Sequence, residues 1–368
     1  MTSGSVTSGS TALSDEPALE LTDLNVRYGR PGDKSGRSSP SSGVHAVRDA
    51  CLTVGAGQVV ALIGETGSGK SSLALGAAGL LPRSAAITGQ ITIAGRDVSA
   101  MDRAGFRRVR ASLLGCIAQD AMAALNPVVP VGRQIGELFT QHAGMRRQQA
   151  AEAAIAALAQ VEIRQSAAVA RLYPHQLSGG MRQRVMIAMA VALSPPLIVA
   201  DEPTTALDVS TQAEILALIG ELREGMRSGF LWITHDMGVV AELADWAAVM
   251  YAGRIVEQAP VEQIFDAPAH PYTQGLLQTR QDLRAGEAGT PLFQIPGAPP
   301  APGTEPAGCP FAPRCPRATQ VCADSDPPLE PVSAGHQAAC HHPVISDAAE
   351  TPARAPAAPG PGCEGERS

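Results

Sequence analysis

The apolar run VVALI (59–63) leads directly into GETGSGKS (64–71), and a helix-forming stretch, KSSLALGAAGLL, follows at once. This order leaves few folds open. The glycines let backbone N–H groups curl around an oxyanion, and the helix start adds the positive end of its dipole. The pattern G-x-x-x-x-G-K-[ST] makes Gly64, Glu65, Thr66, Gly67, Ser68, Gly69, Lys70, Ser71 and Ser72 the candidate phosphate-binding set. At this spacing Lys70 reaches the β/γ-phosphates of a nucleotide, and the Ser71 hydroxyl falls on Mg²⁺. The alternative, a chance Gly-rich turn, is disfavoured because a strand and a helix flank the loop on the correct sides.

A second apolar run, LIVADEP (197–203), ends in paired carboxylates about 130 residues further on. There Asp201 is placed to hold Mg²⁺, and Glu202 to orient and deprotonate an attacking water. With QVVALIG, PLIVADE and GFLWITH as strands and helical runs between them, the chain predicts an α/β core around a mainly parallel sheet. LELTDLNVRY and VHAVRDACLTV read as an antiparallel β edge, joined through a long polar loop at 29–43. Between about 120 and 195 only helical patterns occur, which predicts an inserted all-α lobe. The expected layout is a disordered tail at 1–17, a nucleotide-binding domain at 18–267, a small C-terminal module carrying cysteines at 268–345, and a disordered tail at 346–368.

Other features narrow the class. The net charge is −7, without the basic footprint of a nucleic-acid binder. The N-terminus has neither the positive nor the apolar region of a signal peptide, and no apolar run reaches the roughly 18 residues of a membrane span. A cytosolic setting follows as the expectation. Cys51 and Cys116 lie in apolar runs and read as small core fillers. His270 reads as a capping residue without chemistry of its own.

LSGGMRQR (177–184), just ahead of the LIVADEP strand, resembles the signature of ATP-binding-cassette (ABC) ATPases. TALD (205–208) resembles that family's D-loop, contributing Asp208. His235 in WITHD resembles the switch histidine, and Gln119 in IAQD the Q-loop glutamine, a catalytic and Mg²⁺-site position. Tyr28 stands where the family stacks an aromatic on adenine. The motifs occur in the family's order over residues 18–265. The resemblance implies ATP and Mg²⁺ as cofactors and a head-to-tail dimer, with Ser178, Gly179 and Gly180 completing the partner's site. Those residues also precede a helix, a second anion-binding start that one nucleotide per chain would not require.

QDAMAALNP (119–127), HPYTQGLL (270–277), IPGAPP (295–300) and CPFAPRC (309–315) together resemble the ATP-binding subunits of dipeptide/oligopeptide importers. The implied partners are two transmembrane permease subunits, a second ATPase subunit, either a paralogue or an identical copy, and indirectly an extracytoplasmic solute-binding protein. The chain would then sit peripherally on the cytoplasmic face of the membrane. A non-peptide solute such as nickel is the alternative cargo. A soluble ABC-type ATPase acting on nucleic acid or ribosomes is the alternative class. Only 107 residues separate Lys70 from Ser178, with no sustained heptads, which leaves no room for the long coiled coil of chromosome-type members.

Four of the seven cysteines fall late, as Cys309-x₅-Cys315-x₆-Cys322-x₁₇-Cys340. The C-x₂₋₄-C knuckle usual for structural zinc is absent. Wider loops suit a cubane whose irons each take one thiolate, with Arg314 and Arg317 offsetting its negative charge. The resemblance implies a [4Fe–4S] cluster on these four residues. Zinc and free thiols stay open, because His336, His341 and His342 are close enough in sequence to replace a ligand.

Overall fold

Strand β3 (Val59–Ile63) is wholly buried at the middle of the main sheet, and its neighbours account for the architecture. In the computed structural model, which describes residues 16–29, 43–205, 207–285, 293–301 and 303–344, β3 pairs in parallel with β8 (Gly229–Thr234) and β9 (Trp246–Tyr251). Beyond β8 come β7 (Leu197–Asp201) and β6 (Leu114–Ile117), also parallel. Beyond β9 come β10 (Arg254–Pro260), β12 (His336–Ala338) and β11 (Glu330–Ser333), all antiparallel. A second, antiparallel sheet has the order β2-β1-β4-β5, from Val44–Val54, Leu19–Tyr28, Ala85–Ile93 and Arg96–Asp97. The mainly parallel core and antiparallel β edge therefore agree with the pattern of the chain. The polar stretch 30–42, residues 1–15, the tail from 345 and Cys363 lie outside the described residues.

Alternation along β3 sorts its side chains to two faces. Val60 and Leu62 pack with Leu19, Val47 and Leu73 beneath the antiparallel sheet. Ala61 and Ile63 pack with Val249, Tyr251, Tyr272 and Phe311 on the other face. Each fully buried aliphatic side chain is worth about 1.5–3 kcal/mol of transfer free energy. The all-α lobe holds the helices Val131–His142, Arg147–Gln160 and Gly179–Val191. Their apolar faces, with Phe139, Leu158 and Val185, join one cluster with Ile198 and Trp232 of the sheet. No described helix is long and apolar enough to cross a membrane.

Two expectations are corrected. The segment after residue 267 is not a separate body, because β12 adds to the main sheet beside β10 and the ion pair Arg254–Asp326 ties β10 to the cysteine-bearing stretch. Cys116, read as a core filler, is exposed on the edge strand β6. An edge strand has one open side, so an apolar run there need not bury every residue.

The C-terminal join depends on Glu257 of β10, which is 0% exposed. Its carboxylate accepts from Ala269 N (2.6 Å) and His270 N (2.9 Å) and meets His336 Nε2 at 2.7 Å. His270 Nδ1 in turn accepts from Tyr272 N at 3.0 Å, capping the helix Pro271–Ala285 in keeping with its expected role. Burial holds the His270 imidazole down at about 4. Removing one partner of a buried charged pair leaves the other groups unpaired, at a cost of about 3–5 kcal/mol. Glu257→Ala is expected to lose stability of that order in urea unfolding, with Glu257→Gln much milder because it keeps an acceptor.

Candidate active site

The phosphate loop is built by close approach. Gly64 has φ +156°, and a Cβ there would lie 2.2 Å from Met250 O. Gly69 has φ +107°, and a Cβ there would lie 2.3 Å from Ala46 O. Only glycine fits either place. Gly69 also starts the helix Lys70–Ala77 with no side-chain cap, so the first-turn N–H groups face the loop without a protein side-chain acceptor at the cap. Lys70 is 6% exposed, and its Nζ donates to Gly64 O (2.7 Å) and Glu65 O (3.0 Å). Burial lowers its pKa, and the carboxylates of Glu202, Asp201 and Glu65 oppose that shift.

Strand β7 delivers Asp201 and Glu202 to the same place. Ser71 Oγ donates to Asp201 Oδ1 at 3.2 Å. Burial raises the Asp201 pKa, partly offset by that hydrogen bond. Glu202 adopts φ +46°, an unfavourable conformation for a side chain with a Cβ, and the parallel sheet holds it there through Glu202 N donating to Ile233 O (3.0 Å). Its Oε2 accepts from Gln119 Nε2 (3.3 Å) and Thr205 Oγ1 (3.2 Å), while Oε1 meets His235 Nδ1 at 3.2 Å. Lys70, Ser71, Gln119, Asp201, Glu202 and His235 thus converge on one place. Thr205 was not foreseen, since nothing in TALD marks it as a partner of Glu202.

A cleft opens over this group, lined by Thr66, Gly67, Gly69, Lys70, Ser71 and Ser72 of the loop with Gln119 and Glu202. Its far wall is Val44, His45 and Ala46 of β2. Tyr28 stands beside that wall, half-buried, with its hydroxyl donating to Ser72 Oγ at 3.1 Å. Pro300, Ala301, Gly303 and Thr304 close another side, and sequence reasoning assigned them no role. They are latched by Glu305, which pairs with Arg27 (3.0 Å) and His45 (3.1 Å). Of the rest of the loop, Ser68 is buried with its hydroxyl unpartnered, and Glu65 faces away from the cleft towards Arg314.

The signature residues lie elsewhere. Ser178 caps the helix Gly179–Val191 by accepting from Met181 N (3.3 Å), and none of Ser178, Gly179 and Gly180 lines the Lys70 cleft. Asp208 caps the helix Val209–Gly225, accepting from Thr211 N at 3.0 Å, and the hydrogen bonds from Thr211 and Ser210 hold its carboxyl well below the usual range.

Cys309, Cys315, Cys322 and Cys340 all line one small pocket, with Arg317, His341 and His342. Burial raises the thiol pKa values of Cys309 (to about 11), Cys315 and Cys340. Among the described residues no three His, Cys, Asp or Glu side chains come close enough to hold a single metal ion. Two sequence assignments change here. His336 is bound to Glu257 and not to this pocket, and Arg314 points at Glu65, leaving Arg317 as the arginine beside the thiols. The buried Glu257 acceptor outcompetes the pocket for His336, because an unpaired buried carboxylate is costly.

Two family profiles match the chain: ABC transporter over residues 47–205, and oligopeptide/dipeptide transporter, C-terminal region, over residues 256–322. The oligopeptide transport ATP-binding protein OppD of Salmonella typhimurium is 41% identical over 326 residues, which is 89% of this chain and 94% of that protein. A putative peptide import ATP-binding protein of Brucella melitensis is 45% identical over 308 residues, 80% of this chain and 90% of that protein. The solved dimer of the ATP-binding cassette MJ0796 bound to ADP and Pi matches with TM-score 0.56 and 25% identity, over 66% of this chain and 98% of that one. The phosphate loop, the carboxylate pair and the two matched regions agree: this chain belongs to the ABC transporter family, among its oligopeptide-type ATP-binding subunits.

Proposed function

We propose that the chain hydrolyses ATP in the Lys70 cleft to drive import of dipeptides or oligopeptides through a membrane permease. The observation that carries the hydrolytic part is Glu202, gripped at 3.2–3.3 Å by Gln119, Thr205 and His235 beside a buried Lys70. The peptide cargo rests on the C-terminal region and the printed names of the relatives.

In this reading Lys70 leaves the Gly64 and Glu65 carbonyls for the β/γ-phosphates, and the loop N–H groups take the remaining phosphate oxygens. Ser71 and Asp201, with Gln119 nearby, offer the hydroxyl, carboxylate and amide oxygens that a hard cation accepts, which fits Mg²⁺. Mg²⁺ supplies neutralisation of phosphate charge. Glu202 takes the proton of the attacking water, and His235, on its other oxygen, fixes the direction in which the carboxylate points. Tyr28 borders the adenine end. Ser178, Gly179, Gly180 and Asp208 serve the site of a second cassette, which is why they sit outside the chain's own cleft. The assembly has two permease subunits, two ATPase subunits and a solute-binding protein outside, with this chain peripheral on the cytoplasmic face.

The four cysteines carry a second reading. The four thiols line one pocket with Arg317, and their wide spacing in sequence suits a cubane, which takes one thiolate per iron, better than the close-paired knuckle of a structural zinc. We assign them a [4Fe–4S] cluster of structural or regulatory role, since Lys70, Asp201 and Glu202 account for hydrolysis.

Glu202→Gln keeps the shape of the side chain but accepts no proton, so turnover should fall about 10²–10⁴-fold while ATP binding persists. Near-normal hydrolysis by the purified variant would remove Glu202 from the role. The isolated chain should be a weak ATPase whose specific activity climbs with concentration and with added permease and second cassette. Full activity from a monomer, independent of concentration, would count against the split site. Anaerobically purified protein should be brown with about four irons per chain, and Cys315→Ser should lose the colour. A colourless preparation with one zinc per chain would overturn the cluster.

A further inference from the structure

Glu65, the second residue of the phosphate loop, is held from three directions. Its N–H donates to Tyr272 Oη at 2.8 Å, and its carbonyl accepts from Lys70 Nζ at 3.0 Å. Its carboxylate takes two hydrogen bonds from Arg314, at 2.9 and 3.2 Å. Two of these three partners come from the C-terminal region, and Arg314 lies 249 residues away in sequence.

Arg314 has little freedom to do anything else. Its side chain is 5% exposed, against 27% for Glu65. Its Nε donates to Pro296 O at 2.9 Å, its second N–H group reaches Tyr251 Oη at 3.3 Å, and the guanidinium sits 5.8 Å from the Tyr251 ring centre. It ends the short 3₁₀ turn Ala312–Arg314, directly before Cys315. Phe311, from the same cysteine loop, is buried edge-on against Tyr251 and lies 5.4 Å from the Tyr272 ring. The loop that carries Cys309 and Cys315 therefore places both the guanidinium and the aromatic wedge that set the position of Glu65.

We propose that Arg314 is a positioning residue for ATP: it holds the Glu65 carboxylate out of the phosphate cleft, so that the order of the cysteine loop sets nucleotide affinity. When phosphate arrives, Lys70 must give up the Gly64 and Glu65 carbonyls, and the first half of the loop loses that tie. Arg314 and Tyr272 are the ties that remain. A guanidinium fork suits this task, because its paired donors fix a carboxylate in direction as well as in distance. Released from Arg314, a carboxylate next to the loop would compete with phosphate for Lys70 and repel the anion. The inference rests on the ATP-binding reading of the Lys70 cleft, which Lys70→Ala tests separately through outright loss of nucleotide binding.

The decisive experiment is a rescue. In the full chain, Arg314→Met should weaken binding of a fluorescent ATP analogue at least about tenfold, equivalent to ~1.4 kcal/mol. In the assembled transporter the same variant should raise KM for ATP while kcat stays within about twofold. Adding Glu65→Gln to Arg314→Met removes the freed charge and should restore most of the affinity. A purely structural role for Arg314 predicts no such rescue, since the double variant lacks the same packing. Should Arg314→Met fail to fold, Arg314→Lys keeps the charge and the stem but loses the fork. It should then show a smaller loss of affinity, rescued in the same way. Unchanged affinity in the folded Arg314 variant, or a double variant no better than the single one, would overturn the proposal.

Discussion

Parallel pairing around β3 is the constraint on which the rest depends. Its five apolar residues are flanked by β8 and β9, so the strand can slip in neither direction without moving Val60 and Leu62 from one core to the other. With that register held, Gly64, Asp201 and His235 emerge at the same edge of the sheet, because strands running in parallel finish together. Ligand sites of open α/β sheets lie at this carboxyl edge for that geometric reason. The chemistry at 64–71, 201–202 and 235 is thereby brought together by the register of the sheet.

Backbone strain and charge meet at that edge in Glu202. Glu202 holds a left-handed backbone conformation that only an over-determined neighbourhood sustains, and its two oxygens meet three side chains from three different loops. Lys70 is buried within the electrostatic reach of Asp201 and Glu202, so the site combines one deeply placed cation with a pair of acidic groups. An anionic phosphate chain and a divalent cation would each be placed near groups of the opposite sign. The helix start at Gly69 contributes further to the phosphate side.

The C-terminal segment is part of this arrangement and not an appendage. It enters through Glu257, whose buried carboxylate gathers the backbone of Ala269 and His270 together with His336, and that knot sets where the helix Pro271–Ala285 begins. Tyr272 in the first turn of that helix, the residues Pro300, Ala301, Gly303 and Thr304, and Arg314 then reach the nucleotide side at three separate places. A family profile for the C-terminal region spans 256–322, which contains these C-terminal residues except His336.

Taken alone, the sequence determined the local chemistry: the phosphate loop, the carboxylate pair after an apolar strand, the helical lobe without strands, and the capping role of His270. Each is written within about ten residues or in a periodicity, where backbone geometry leaves little choice. Only the tertiary structure decided which distant groups would meet. CPFAPRCPR suggested two arginines serving the thiols, yet Arg314 turns to the Glu65 carboxylate and the Tyr251 hydroxyl while Arg317 stays beside the thiols. His336 was a candidate ligand until β12 paired with β10 and set it on Glu257. Thr205 met Glu202 only through the turn after β7. The long-range pairings depend on the path of the chain, over 249 residues between Glu65 and Arg314 and 79 between Glu257 and His336, and burial favours them because a buried charged group is costly without a partner.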